Sequence, residues 1–132
     1  MKKTGILNAQ LMQYVAGLGH TDLFLIGDAG MPIPKGVPIV DLVLVGGVPT
    51  FEQVLKAVLA ESKMEACYLT DQTKTANPRV YKLIQDSLPG VSCKEMPHTE
   101  LKELTKSCKF AIRTGEFTPF SNVVLQAGCV FI

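Results

Sequence analysis

The sequence has 132 residues, 47% of them apolar and 19% charged, with a formal net charge of +1. That length suits one domain, residues 1–132, with a substantial core. The charge balance excludes the basic footprint that nucleic-acid binding requires, and the apolar runs, all short and broken by Gly, Pro or Asp, exclude insertion into a membrane.

Near the start, Asn8, Gln10 and Gln13 interrupt the stretch 6–18, so no secretory apolar region is present and a cytoplasmic protein is expected. Asn8 caps a predicted helix whose apolar face is Leu11, Val15 and Leu18, and Gly17 and Gly19 offer the left-handed positions that end it. Residues 23–26 are continuously apolar, as in a strand covered on both faces. Gly27 and Asp28 follow it, and Gly30, Pro32 and Pro34 forbid a regular element there. A second strand is expected over 40–45, turned by Gly46-Gly47-Val48-Pro49. Thr50 and Gln53 then form a capping box for a helix carrying Val54, Leu55, Val58 and Leu59.

A short strand is predicted over 66–70. Asn77-Pro78 starts a helix with Val80, Leu83, Ile84 and Leu88 on its apolar face, ended by Pro89-Gly90. A strand over 91–96 precedes a helix capped by Thr99 and ending near Ser107. Residues 110–113, 123–127 and 129–132 read as closing strands. The alternation predicts an α/β fold: a single three-layer α/β/α domain with a largely parallel sheet, Rossmann-like in its layering. The apolar end, Val130-Phe131-Ile132, is expected to tuck into the core or a subunit interface.

Several chemistries lack their motifs. No G-x-G-x-x-G, no G-x-x-x-x-G-K-[ST] and no G-x-S-x-G occurs, so dinucleotide, P-loop and serine-elbow readings have no support. The four cysteines form no C-x-x-C pair, and neither histidine lies near another His or a Cys in a ligand-like spacing, so no metal is expected and reduced, buried thiols are the default. What remains is His20, Asp28, His98 and the polar segment 113–122. Asp28 follows a strand's carboxyl end, where open α/β sheets bind ligands, or it caps the next turn with its own side chain. His20 stands ready for acid–base work, or it bonds the last carbonyls of a helix. His98 lies between a strand and a helix start, poised beside Asp28 or merely part-exposed. The polar segment presents Asn122 from a loop stiffened by Pro119, or it is an ordinary ordered loop with an Arg113–Glu116 surface pair.

Gly5-Ile-Leu-Asn8, Leu18-Gly-His-Thr-Asp22, Asp28-Ala-Gly30, Pro32-Ile-Pro34, Arg113-Thr-Gly-Glu116 and Gln126-Ala-Gly128 occur in order. Together they resemble the ribose pyranase/fucose mutarotase family from the first residues to the last. The resemblance implies an isomerase, without a cofactor, that interconverts pyranose, furanose and anomeric forms of free D-ribose. It makes His20 the catalytic acid, Asp28 and His98 partners of sugar hydroxyls, and Phe120, Ser121 and Asn122 the rest of the sugar site, with Lys102 also in reach. It implies a homo-oligomer, a decamer or octamer of stacked rings, with sites between neighbouring subunits. One departure stands out: the family usually carries Tyr where this chain has Phe120.

Ring opening of a hemiacetal moves a proton from the anomeric hydroxyl to the ring oxygen, and an imidazole with an ordinary pKa of about 6.5 can do both. Two alternatives remain at this stage. One is a mutarotase for L-fucose or another monosaccharide. The other is a non-catalytic sugar-binding module associated with ribose transport, which would need hydroxyl partners but no titrating group.

Overall fold

The computed structural model describes residues 1–132 and places six strands in one sheet of order β2-β5-β1-β6-β3-β4. The elements run α1 (Ala9–Ala16), β1 (Leu23–Gly27), β2 (Ile39–Asp41), α2 (Phe51–Leu59), β3 (Met64–Thr70), α3 (Gln72–Ala76), α4 (Pro78–Ser87), β4 (Ser92–Met96), α5 (His98–Thr105), β5 (Phe110–Arg113) and β6 (Val123–Ala127). The α/β class and the largely parallel sheet hold. β1–β5, β2–β5 and β3–β4 are parallel pairs. β6 enters between β1 and β3 and runs antiparallel to both.

Strand alternation divides the apolar side chains between two faces. Phe24, Ile26, Phe110, Ile112, Val123 and Leu125 point toward α1, α2 and α4. Leu25, Ala111 and Val124 point the other way, under α5 and the Pro-rich loop that carries Met31. The expected three layers are therefore helices, sheet, and one helix with a loop. Phe24 stacks on Phe110 with centroids 5.0 Å apart, an arrangement that adds about 0.5–1.5 kcal/mol to simple burial.

Local signals account for most boundaries. Asn8 Oδ1 accepts from the Leu11 N–H at 2.9 Å, Thr50 and Gln53 form the reciprocal capping box, and Pro78 opens α4. Other expectations fail for physical reasons. The predicted strand 40–45 stops at Asp41, whose carboxylate accepts from the Val43 N–H and bends the chain. Leu44 and Val45 leave the sheet as an exposed hairpin. Thr99 caps nothing: α5 begins at His98, with Pro97 before it. α3 was unforeseen. Residues 129–132 form no strand: the Cys129 and Ile132 carbonyls accept from the Lys63 ammonium and not from a neighbouring strand. Val130, Phe131 and Ile132 stay exposed, so within one chain this end enters no core.

The expectation of reduced thiols also needs correction. Parallel register sets Cys67 opposite Cys93, and the two are joined in a disulfide with their Cα atoms 4.5 Å apart. Only the β3–β4 pairing brings together residues 26 positions apart, and that pairing is invisible in cysteine spacing. No helix is long and apolar enough to cross a membrane.

Candidate functional site

Two groups of polar side chains stand at opposite ends of β1. The carboxyl-end group begins with Gly27. A Cβ there would lie 3.2 Å from both Asn122 Oδ1 and Met31 Cβ, so glycine lets the Asn122 amide seat against the strand without displacing either neighbour. Asn122 is buried. Its Oδ1 accepts from the Asp28 N–H at 2.9 Å, and its Nδ2 donates to Asp28 Oδ2 at 3.0 Å. Asp28 Oδ1 accepts from the Gly30 N–H at 3.0 Å, so the turn-capping reading is true as well. Burial raises the Asp28 pKa above the usual carboxylate value, against the opposing hydrogen bonds from Gly30, Asn122, Met31 and the Ser121 backbone. A carboxylate in that condition gains from any further hydroxyl donor.

His98 faces the same place. Its ring meets Phe120 edge-on, with centroids 5.3 Å apart and planes at 87°. Its Nδ1 is buried and has no hydrogen-bond partner within the chain. Burial, and then the charge of Lys102 one turn along α5, lower the His98 pKa, while the Asp28 charge acts the other way. A neutral imidazole with no hydrogen-bond partner on its buried Nδ1 therefore stands within the field of a carboxylate. Such a pair suits a ligand rich in hydroxyl groups. A cleft of about 420 Å³ opens beside Asp28, lined also by Gly30, Glu116, Phe117, Thr118 and Pro119.

The loop that carries Phe120 is anchored from below. Phe120 has φ +54°, a left-handed conformation uncommon outside glycine, and its carbonyl accepts from Thr73 Oγ1 at 2.9 Å. Asn77 Nδ2 reaches Thr118 Oγ1, the Pro119 carbonyl and Ser121 Oγ at 3.0, 2.9 and 3.1 Å. The Ser121 hydroxyl donates to the Thr118 carbonyl at 3.0 Å. It is turned into the protein, and what Ser121 offers the site is its backbone N–H to Asp28. Glu116 fastens the loop to the start of α2, accepting from the Phe51 N–H at 3.0 Å and Thr118 Oγ1 at 2.8 Å. Burial alone would raise its pKa; the bonds from Phe51 and Thr118 and the nearby Arg79 charge outweigh that and lower it. The expected Arg113–Glu116 pair is absent. Arg113 instead donates to Asp41 Oδ1 at 3.1 Å and to the Ala29 carbonyl at 3.3 Å.

The amino-end group centres on His20. Its Nε2 lies 2.9 Å from Glu65 Oε2, so it bonds a carboxylate and not the last helix carbonyls. Glu65 Oε1 accepts from Gln126 Nε2 at 2.7 Å, and Gln126 Oε1 accepts from Tyr68 Oη at 2.9 Å. His20 precedes β1 and Asp28 follows it, and an extended strand of five residues separates its ends by about 16 Å. The fold thus gathers Asp28, His98, Phe120, Asn122 and the Ser121 backbone, with Lys102 one turn away. His20 stays at the far edge of the sheet.

Thr73, Asn77, Glu65, Gln126 and Tyr68 escaped sequence reasoning as site residues. Asn77 was legible as a helix cap, and its amide nitrogen has the second task. Glu65 had no signal at all, since its place beside Gln126 depends on β3–β6 register. No group of three or more His, Cys, Asp and Glu side chains is arranged to hold a metal ion.

Comparison with known proteins places the chain in a family. Residues 1–130 match the model of the RbsD / FucU transport protein family. The D-ribose pyranase of Limosilactobacillus fermentum is 47% identical over 131 residues, spanning 99% of this chain and 100% of that protein. The D-ribose pyranase of Clostridium novyi is 44% identical over the same length, with the same coverage. Among solved structures, Bacillus subtilis RbsD complexed with D-ribose superposes with a TM-score of 0.95 at 41% identity, covering 99% of this chain and 100% of that one. The chain belongs to the RbsD / FucU transport protein family.

Proposed function

We propose that this chain interconverts the pyranose and furanose forms of free D-ribose by acid–base ring opening, the D-ribose pyranase activity for which its relatives are named. The observation that carries this reading is the Asp28–Asn122–His98 cluster. It sets a half-buried carboxylate, held by its own chain at the side of a cleft, near an imidazole whose buried Nδ1 has no partner, in a fold shared end to end with a protein complexed with D-ribose. Asp28 accepts hydrogen bonds from sugar hydroxyls, His98 exchanges one through its free nitrogen, and the Phe120 ring covers an apolar face of the sugar. Asn122 and the Ser121 N–H hold the Asp28 carboxylate in place, and Lys102 adds positive charge at the rim. His20 moves the proton. General acid–base catalysis contributes about 10²–10⁴-fold, which suffices for a reaction that also runs unaided, in which proton transfer accompanies the breaking and re-forming of the bond from the anomeric carbon to the ring oxygen.

Because His20 and Asp28 lie at opposite ends of β1, this chemistry requires His20 from a second copy. Exposed apolar side chains support such a contact. Phe117 lines the Asp28 cleft and packs against Gly46 of the hairpin that exposes Leu44 and Val45, and Val130, Phe131 and Ile132 lie toward the His20 end, held there by Lys63. Joining one kind of end to the other is a heterologous contact, and such contacts form a ring where the rotation between copies closes. A ring, stacked into an octamer or decamer, is the assembly in this reading.

Two experiments test it. Saturation-transfer NMR on D-ribose should show faster exchange between the pyranose and furanose anomeric signals when the purified protein is added, at an undiminished rate in chelator. No acceleration overturns the activity. Mixing His20→Ala with Asp28→Asn protein under subunit exchange should restore part of the lost rate, because some sites then combine an intact His20 with an intact Asp28. Failure to restore any activity in mixed oligomers overturns the shared site.

A further inference from the structure

The two ring nitrogens of His20 are not equivalent. Nε2 faces Glu65 Oε2 at 2.9 Å, Glu65 Oε1 accepts from Gln126 Nε2 at 2.7 Å, and Gln126 Oε1 accepts from Tyr68 Oη at 2.9 Å. The direction of this chain of bonds is forced. The hydrogen bond from His20, and then that from Gln126, lower the Glu65 pKa, so Glu65 is ionised and has no proton to give. Reversing the Gln126 amide would set its oxygen against the Glu65 carboxylate. Only one polarity satisfies every link: Tyr68 donates to Gln126, Gln126 donates to Glu65, and His20 donates to Glu65 through Nε2.

We propose that Glu65, seated by Gln126 and Tyr68, is a positioning residue that fixes His20 as the Nε2–H tautomer, so that Nδ1 is the nitrogen that exchanges the proton with the sugar. This rests on the reading of His20 as the proton-transfer group and says how that group is prepared. A hydrogen bond at one imidazole nitrogen decides which form the other takes. Here it leaves a lone pair on Nδ1 and a carboxylate ready to stabilise the imidazolium. In ring opening, Nδ1 takes the proton of the anomeric hydroxyl, and the anomeric C–O(H) becomes a carbonyl. The bond from the anomeric carbon to the ring oxygen breaks, its electron pair goes to the ring oxygen, and the proton is returned there. The open aldehyde closes through a different hydroxyl by the reverse steps. The β3–β6 pairing supplies all three supporting side chains, so the ring is held by the sheet and not by the turn on which His20 sits.

The test is long-range ¹H–¹⁵N NMR of ¹⁵N-histidine-labelled protein, with His20 assigned by its loss in His20→Ala, alongside D-ribose exchange rates. The wild-type neutral ring should show a protonated Nε2 and a bare Nδ1. Glu65→Gln should mix the tautomers and lower the exchange rate by about 10-fold or more, with ribose affinity unchanged because the binding groups lie at the other end of β1. Gln126→Ala should fall between the two. A wild-type ring protonated at Nδ1 overturns the proposal, whether or not Glu65→Gln folds. So does a wild-type rate in folded Glu65→Gln when His20→Ala is inactive. Full activity in His20→Ala would instead remove the reading of His20 on which the proposal rests, and the proposal with it.

Discussion

The two ends of β1 solve different problems. At the carboxyl end, Asp28 is held by Asn122, 94 positions away, and the loop beneath is pinned by Thr73, Asn77 and Glu116. Thr73, Asn77, Glu116 and Asn122 are buried, and Asp28 is half-buried against them. At the amino end, His20 and Glu65 keep 46% and 33% of their side-chain surface exposed. A binding group can be prepared completely by one chain's own packing. A proton-transfer group exposed to water is incomplete until something excludes that water, and in this reading a neighbouring copy does so. The contrast teaches that binding and proton transfer should separate cleanly under mutation.

The largest expected effect breaks the amino end alone. His20→Ala should lower the D-ribose exchange rate by about 10² or more, while calorimetric ribose affinity survives. Asp28→Asn should do the reverse. It removes the charge from hydrogen bonds worth roughly 1.5–3 kcal/mol, so affinity should fall about 10- to 100-fold, and saturating ribose should recover much of the rate. A variant at Asp28 that lowered only the saturated rate would erase the distinction between the ends.

Within the carboxyl end, two carboxylates should separate binding from stability. Glu116 is nearly enclosed and its pKa is lowered, so it stabilises the fold above the ordinary carboxylate range. That stability is lost only as pH falls through its lower folded value. Asp28 is raised and therefore protonates above the ordinary range. On acidification, ribose affinity should weaken while circular dichroism still reports an intact fold, and unfolding should follow at lower pH. If the fold were lost first, the assignment of the two carboxylates would be reversed. Glu116→Gln, which leaves buried donors at Phe51 and Thr118 poorly matched, should lower stability to denaturant by about 1–3 kcal/mol.

What was legible in the sequence divides along the same line. Asp28 and His98 were visible as candidates because strand ends and turn residues mark themselves locally, through Gly27, Gly30 and Pro32 or through the strand over 91–96 and the helix start after it. The helix caps at Asn8, Thr50 and Asn77 were visible for the same reason. Contacts set by register were not. The Cys67–Cys93 bond, the Glu65–Gln126 pair and the insertion of β6 between β1 and β3 all depend on which strands are neighbours, and no local pattern encodes that. The strand expected over 40–45 failed because Asp41 bends the chain with its own side chain, a competition that apolar periodicity does not register. The ends of β1 were each readable, yet the distance between them required only counting: one extended strand cannot bring its two flanks together.

The smallest expected effect sharpens the carboxyl end. Phe120 stands where the family resemblance implies a Tyr, and its ring packs edge-on against His98 from a left-handed backbone position anchored by Thr73. Because the carbonyl anchor and not the ring fixes that position, Phe120→Tyr should leave the loop in place and add one hydroxyl at the end of the ring. If that hydroxyl meets the sugar, ribose affinity should rise by roughly 0.5–1.5 kcal/mol, the net worth of one hydrogen bond, with the saturated exchange rate unchanged. The same variant should leave His98 neutral, since burial and Lys102 set its lowered pKa. Titrating ribose into both proteins decides the point. Equal or weaker binding would mean that the end of the Phe120 ring faces protein, and that the apolar face of the ring is all it offers the sugar.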